Sequence, residues 1–267
     1  MIHSVHKAID ILQLFSPAEP RLSLADIAER LELPKSTAHN LLKTLAKRRF
    51  VEACGDGTYA LGTEIIALTH AVRINVELRD LAAPLLRTLA EYAHESVYLA
   101  VLDGDYMLYI YAVESSDRLR ARTAVGDRVL PHCTAVGKAV LSQLPREEVE
   151  ALIDRTGLPR YTAATITDRA RLHQVLAETA ARGYALDYGE HEENYHCVAA
   201  PIFNRRGRAI AACSISGRNP EIIRSRLPDL SARVLYTAQE IARYLGYLPN
   251  RATVITDPII QSDGDRG

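Results

Sequence analysis

Lys35, Lys43, Lys47, Arg48 and Arg49 fall in one short stretch that contains no acidic residue. Ser36, Thr37, His39 and Asn40 lie in the same stretch. Ammonium and guanidinium groups pair with phosphates, which supplies affinity and salt dependence without sequence choice. Asn pairs bidentately with adenine, and Ser and Thr both donate to and accept from base edges. Together these residue types have the chemistry to read double-stranded DNA. The same cluster also suits a plain solvated helix face, so the surrounding elements must decide. Overall charge does not help, because 32 Lys and Arg against 33 Asp and Glu leave a formal charge of −1; only the local clustering is informative.

Those elements follow from spacing. Val5, Ile9, Leu12 and Phe15, with Ala8 and Ile11, recur at helical intervals, and Ser16-Pro17 and Pro20 end that helix. Ser23 with Asp26 three residues on predicts a capped second helix with Leu24, Ile27, Ala28 and Leu31 inward. Only Glu32 and Leu33 precede Pro34, a good first-turn residue for a third helix. That helix turns Ala38, Leu41, Leu42 and Leu45 inward and leaves Ser36, Thr37, His39, Asn40 and Lys43 outside. Phe50-Val51-Glu52 and Thr58–Leu61 read as strands around Asp56-Gly57, a strong hairpin signal. Helix, tight turn, basic helix and hairpin make a winged helix-turn-helix, with Gly57 and Tyr59 placed to rest on the DNA backbone or minor groove.

The 267 residues, 48% hydrophobic and 24% charged, predict two globular domains. Glu64 to Leu78 reads as a linker helix running into a second helix at 80–94, interrupted near Pro84. Its apolar stripe fits either a dimer seam or packing within the chain. From Ser96 the texture becomes β-prone: 97–102 and 107–113 form a hairpin, 197–203 and 209–216 a second one. Helical stretches at 134–143, 146–155, 168–182 and 227–245 separate and follow them. Hairpins with grouped helices indicate an α+β fold. The boundaries so read are a winged helix at 1–62, a linker helix at 63–79, a C-terminal domain at 80–247 and a disordered tail at 248–267.

Other chemistries find little support. In His191-Glu192-Glu193-Asn194-Tyr195-His196 the histidines are five apart, whereas a zinc-protease helix face needs four. No Gly-x-Ser-x-Gly, phosphate loop or dinucleotide fingerprint occurs, so the chain is not expected to be an enzyme. Cys54, Cys133, Cys197 and Cys213 form no Cys-x-x-Cys pair. His132, Cys133, His191, His196 and Cys197 could hold a transition metal if they converged, which spacing does not show; no cofactor is expected. No signal peptide or apolar run of about 20 residues is seen, so a cytoplasmic protein with reduced thiols and no membrane partner is expected.

The run Gly183-Tyr-Ala-Leu-Asp187-Tyr-Gly-Glu190, followed by Cys197-Val-Ala199 and Ile202-Phe203-Asn204, resembles the signature of the IclR transcription-regulator family. Leu33-Pro-Lys-Ser-Thr-Ala-His39 and Thr134-Ala-Val-Gly137-Lys138-Ala139 are also similar to family text. The resemblance spans about residues 4 to 246. It implies a GAF-like effector-binding domain with a curved antiparallel sheet, and a homodimer or homotetramer on palindromic operators. It further implies repression or activation of catabolic genes under a small organic acid effector.

Carried over by position, the resemblance places Val129, His132, Ala135 and Val136 on the effector pocket's wall or among its backbone donors, with Ala121 beside them. It gives Asp187, Cys197, Ser214 and Ser216 as polar pocket positions. Ser214 and Ser216, two apart on a strand, share a face. Asp187 would need a hydroxyl, hydrate or protonated partner, since two unpaired anions repel. Cys197 and Cys213 also suit a small-residue core, Asp187 a turn, and His132 a backbone carbonyl. The chain departs from the family at Leu130-Pro131-His132, where proline sits one place nearer histidine. It departs again at Asn40, where relatives often carry Arg, which implies adenine in place of guanine as the preferred contact. Lys35, Lys43, Lys47 and Arg49 are the expected phosphate contacts.

Overall fold

The computed structural model describes residues 2–16, 18–71, 73–114 and 125–247. The chain divides into two compact units, Met1–Val76 and Glu77–Gly267. Ala121 and the expected tail at 248–267 lie outside the described residues.

The first unit contains α1 (His3–Gln13), β1 (Leu22–Ser23), α2 (Leu24–Arg30), α3 (Lys35–Lys47), β2 (Val51–Ala53), β3 (Thr58–Leu61) and α4 (Glu64–Ala71). Ser23 caps α2 as its sequence predicts: its hydroxyl accepts from Asp26 N–H while Asp26 accepts from Ser23 N–H. The tight turn to α3 is made by Glu32 in the left-handed region (φ 51°). Leu33 N–H reaches back to Ala28 O and Glu32 N–H to Glu29 O, closing the helix end with paired backbone bonds. Arg49 (φ 58°) ends α3 in the same way, through Phe50 N–H to Leu45 O and Arg49 N–H to Ala46 O. Ile11, Ile27, Ala38, Leu42 and Val51 form the core of this unit.

Three details differ from expectation. Ile11 on α1 and Phe15 just after it are buried, whereas Val5 and Ile9 on α1 are exposed, as is Ile2 before it. The sheet has a third strand, β1, in the order β1-β3-β2. The wing turn is Gly55-Asp56-Gly57 rather than two residues: Cys54 and Thr58 pair, and Gly57 takes φ 82°. That is the three-residue hairpin loop with glycine in the left-handed position, and Asp56 braces it by accepting from Thr58 N–H.

α5 spans Arg73–Ala93 without a break at Pro84. Pro84 is exposed, so the one hydrogen bond it removes faces water, while Ala82, Leu86, Leu89 and Ala93 stay buried. The second unit continues with β4 (Ser96–Asp103), β5 (Tyr106–Val113), β6 (Arg128–Val129), a 3₁₀ turn at Pro131–Cys133, α6 (Ala135–Leu141), α7 (Arg146–Thr156) and α8 (Arg169–Arg182). It ends with β7 (Ala185–Tyr188), β8 (His196–Phe203), β9 (Ala209–Gly217), a 3₁₀ turn at Pro220–Ile223, and α9 (Leu227–Tyr244). The sheet is antiparallel throughout, in the order β6-β5-β4-β9-β8-β7. One face packs with Leu86, Val234 and Ile241 of the long helices, the other with Ala135, Val136 and Ala139 of α6. Cys213 points into the first of these cores and Cys197 into the second.

Candidate functional site

α3 is positioned by Ala38 and Leu42, both fully buried. That fixes the rest of the helix: Lys35, Ser36, His39, Asn40, Lys43 and Lys47 are exposed, and Thr37 is half-buried. Ser36, Asn40 and Lys43 follow each other at four and three residues, so they share one outer stripe. Lys35, Lys43 and Lys47 make no ion pair among the described residues, whereas Arg49 pairs with Glu64 at 3.6 Å. Gly57 is exposed at the wing tip, while Tyr59 packs against the core and so is less available than expected. Arg21, which the spacing did not single out, lies beside the wing, 3.4 Å from Asp56.

In the second unit, strand register assembles the polar positions. Asp187 pairs with Cys197, Cys197 with Ser216, and Ser216 with Ser96, giving one row across β7, β8, β9 and β4. Two residues along, Ala199, Ser214 and Tyr98 form the next row on the same face. Ser214 and Ser216 hydroxyls are 3.1 Å apart. Asp187, Cys197, Ser216, Ser214 and Tyr98 of these rows line a small cavity of about 30 Å³, room for about two waters. Ala135 and Val136 close it from α6. Thr134 caps α6 by accepting from Gly137 N–H; among the described residues the N–H groups of Ala135 and Val136 have no acceptor. Gly137 is required for this approach, because a Cβ there would stand 2.2 Å from Pro131 O.

Of the residues carried over by resemblance, Ala135, Val136, Asp187, Cys197, Ser214 and Ser216 therefore come together. Val129 and His132 do not. Val129 pairs with Met107 and belongs to the same core cluster as Ala135, Val136 and Cys197, but it does not line the cavity. His132 is buried with Nε2 3.1 Å from Pro159 O, because Pro131 starts a 3₁₀ turn that aims the ring away from the cavity. Burial holds its imidazole below the usual histidine range.

Tyr98, Tyr109, His191 and Tyr195 also line the cavity and were missed as wall residues. Tyr109 faces inward through a bulge: Leu99 pairs with Tyr111 but Ala100 pairs with Tyr109, leaving Ile110 extra. Tyr98 and Tyr109 meet edge to face at 5.7 Å, and the Tyr98 and Tyr195 hydroxyls are 3.3 Å apart.

The electrostatics centre on Asp187, which is 5% exposed. Burial pushes its carboxyl up to about 7; the Lys138 ammonium opposes that rise, Glu190 reinforces it, and N–H groups of Glu190 and Gly189 oppose it. Those N–H groups donate to Asp187 Oδ1 at 2.8 and 3.0 Å. Lys138 and Glu190 form a buried ion pair directly behind this turn. Thr162 and Thr165 hydroxyls fix the turn from outside by donating to Gly189 O and Glu190 O, at 2.7 and 2.6 Å. Burial raises the Cys197 thiol well above its ordinary range, so it is a neutral wall group. Among the described residues no three His, Cys, Asp or Glu side chains are placed to share a metal ion.

A basic helix beside a wing and a sheet-backed cavity with polar rows together define a ligand-responsive DNA-binding regulator. Comparison with known proteins agrees. The family described as bacterial transcriptional regulator IclR C-terminal matches residues 70–243, and the IclR helix-turn-helix domain matches residues 4–53. The chain belongs to the IclR family of DNA-binding transcriptional regulators. It is 33% identical over 248 residues to the regulator XynR of Escherichia coli, covering 92% of this chain and 98% of that one. It is also 33% identical to the acetate operon repressor of Salmonella typhimurium, over 92% and 90% of the two chains. Among solved structures, Thermotoga maritima IclR matches with TM-score 0.77 and 30% identity, over 92% of this chain and all of that one. A Microbacterium hydrocarbonoxydans homologue complexed with 4-hydroxybenzoate shares the fold, with TM-score 0.82 and 24% identity over 91% and 98%. No helix among the described residues is long and apolar enough to cross a membrane.

Proposed function

We propose that a small organic acid binds in the cavity at Asp187, Cys197, Ser214 and Ser216 and thereby changes the chain's affinity for its operator. The supporting observation is the convergence of the two polar rows on the N–H groups of Ala135 and Val136, which have no acceptor among the described residues. A carboxylate at those N–H groups would have its other end near the serine hydroxyls and Asp187. At about 30 Å³ the cavity favours an acid of few atoms, such as a short 2-oxo acid. An aromatic acid, as in the 4-hydroxybenzoate complex of the Microbacterium relative, would require the 189–195 loop to move outward.

The DNA contacts proposed are Ser36, Thr37, His39 and Asn40 for base edges and Lys35, Lys43, Lys47 and Arg49 for phosphate, with Gly57 and Tyr59 at the wing. A winged helix at 1–62, a linker at 63–79 and an effector domain at 80–247 divide the labour. The exposed apolar residues Val5 and Ile9 on α1, with Ile2 at its N-terminus, fit coverage by a second copy. We therefore read the protein as a cytoplasmic homodimer or homotetramer on a palindromic operator, governing catabolic genes without catalysing a reaction. The effector acts by binding one arrangement of the paired winged helices more tightly than the other. A thermal-shift screen with glyoxylate, pyruvate and 4-hydroxybenzoate tests this. A shift that disappears in Ser214→Ala/Ser216→Ala is expected, and an unchanged shift places the effector elsewhere.

A further inference from the structure

The sheet face beneath α6 is built mostly of small side chains. Strand pairing sets Ala100, Ala112, Ala199, Ala212, Cys197 and Ser214 on that face. Two rings rise among them from the sheet into the cavity, Tyr98 and Tyr109. Tyr109 is there only because of the bulge in β5, which turns its ring inward and sends Ile110 to the opposite core. The size of the cavity is therefore set by tyrosine rings rather than by the strands that carry them.

The two phenols differ in how their hydroxyls are used. Tyr98 meets the Tyr195 hydroxyl at 3.3 Å. The Tyr109 hydroxyl makes no hydrogen bond among the described residues, although the residue is only 8% exposed. A buried phenol ordinarily finds a partner, and one without a partner calls for an explanation. Its oxygen is not among the partnerless atoms that protein encloses on all sides, so it meets the cavity. Burial, with the Cys197 thiol and the Asp187 carboxyl facing it, raises this phenol well above its ordinary range. It is thus a neutral donor with nothing to donate to.

We infer that Tyr109 selects the acid in this cavity: its ring excludes acids built on an aromatic ring, and its hydroxyl donates to an oxygen of the short acid that fits. The inference rests on the acid-binding reading above and adds to it a size filter and a contact. The ring works by occupying space, since the void it leaves is only about 30 Å³. Truncating it leaves room for another ring of the same size, and buried apolar voids of that size take up benzene. The hydroxyl works by its need for an acceptor, because a site that leaves a buried polar group unpaired rejects the ligand that fails to pair it.

Isothermal titration of the full chain with glyoxylate, pyruvate and 4-hydroxybenzoate tests this. The native chain should bind a short acid and give no saturable binding of 4-hydroxybenzoate. Tyr109→Ala should gain 4-hydroxybenzoate, whose phenol takes the place of the one removed. Tyr109→Leu, which keeps an apolar side chain there, should gain it too and serves if the alanine variant does not fold by circular dichroism. Tyr109→Phe should still reject 4-hydroxybenzoate but hold the short acid about tenfold more weakly, the loss expected for one hydrogen bond to a charged group. The inference is overturned if the native chain binds 4-hydroxybenzoate as tightly as the truncated variants, or if no folded truncation binds it. A short acid held equally by the native chain and Tyr109→Phe overturns it as well. These results leave the acid site itself standing when Ser214→Ala/Ser216→Ala abolishes binding of the short acid. Binding of every acid regardless of those serines would remove the site and, with it, the role of Tyr109.

Discussion

Lys138 and Glu190, fifty-two residues apart, form an ion pair shielded from solvent at the point where α6 meets the turn after β7. Each side supplies one wall of the Asp187 cavity: α6 brings Ala135 and Val136, and β7 with its turn brings Asp187 and His191. Removing one partner of such a pair leaves a buried unpaired charge, which commonly costs about 3–5 kcal/mol. Lys138→Met should therefore lower the urea midpoint strongly, and Lys138→Met/Glu190→Leu should recover much of the loss. Equal loss in the single and double variants would show that the pair is not what joins these walls.

Asp187 gives the protein a defined pH response. Its folded carboxyl titrates at about 7, above the ordinary 3.8, so the folded state keeps a proton that the unfolded chain has released. The stability tied to that proton is complete below about pH 4 and is lost as pH rises through 7. Compared with Asp187→Asn, the native chain should lose stability between pH 4 and 7, measured by denaturation at several pH values. An acid bound beside Asp187 should also be accompanied by proton uptake near neutral pH, visible as a buffer-dependent heat in calorimetry. Parallel stability profiles for the two proteins would contradict the assignment.

On α3 the two kinds of contact should separate. Asn40→Ala should cost about 1–3 kcal/mol of discrimination between operator and random DNA. Lys43→Ala should weaken both equally and reduce the salt slope by about 0.9. Anisotropy titrations over a range of salt distinguish the two; an equal loss on both DNAs for Asn40→Ala would remove its base-reading role.

Gly137→Ala should be severe, because the added methyl meets backbone at 2.2 Å and neither Pro131 nor α6 can yield cheaply. A loss of about 1–3 kcal/mol or more is expected from such overpacking, together with loss of any acid-induced thermal shift. An unchanged denaturation midpoint would mean that α6 does not pack on the Pro131 turn.

Much of this was legible in the sequence because it was local. The Ser23–Asp26 cap, the Pro34 start of α3 and the inward Ala38 and Leu42 all follow from neighbours a few residues apart. What escaped depends on distant partners. β1 is two residues long and is a strand only because Leu22 and Ser23 pair with Tyr59 and Thr58. β7 shows no alternation, since Ala185, Leu186 and Asp187 are all buried, and its polar row is visible only once β8 and β9 are set beside it. Tyr109 was hidden for a different reason: strict alternation along β5 gives the cavity face to Ile110, and the bulge transfers it by one residue. For His132 the sequence left a pocket role and a backbone carbonyl open, and only the distant Pro159 O, 3.1 Å from Nε2 beside the 3₁₀ turn begun by Pro131, shows where the ring lies.

The central claim is that occupancy of the Asp187 cavity controls DNA binding. Its most direct test is operator affinity, on a fragment selected from random DNA by the full chain, with and without an acid that shifts the melting temperature. The affinity should change with the acid in the native protein and stay fixed in Ser214→Ala/Ser216→Ala, which should bind the fragment normally without it. An acid that binds yet leaves operator affinity untouched, or alters it equally in both proteins, would contradict the account.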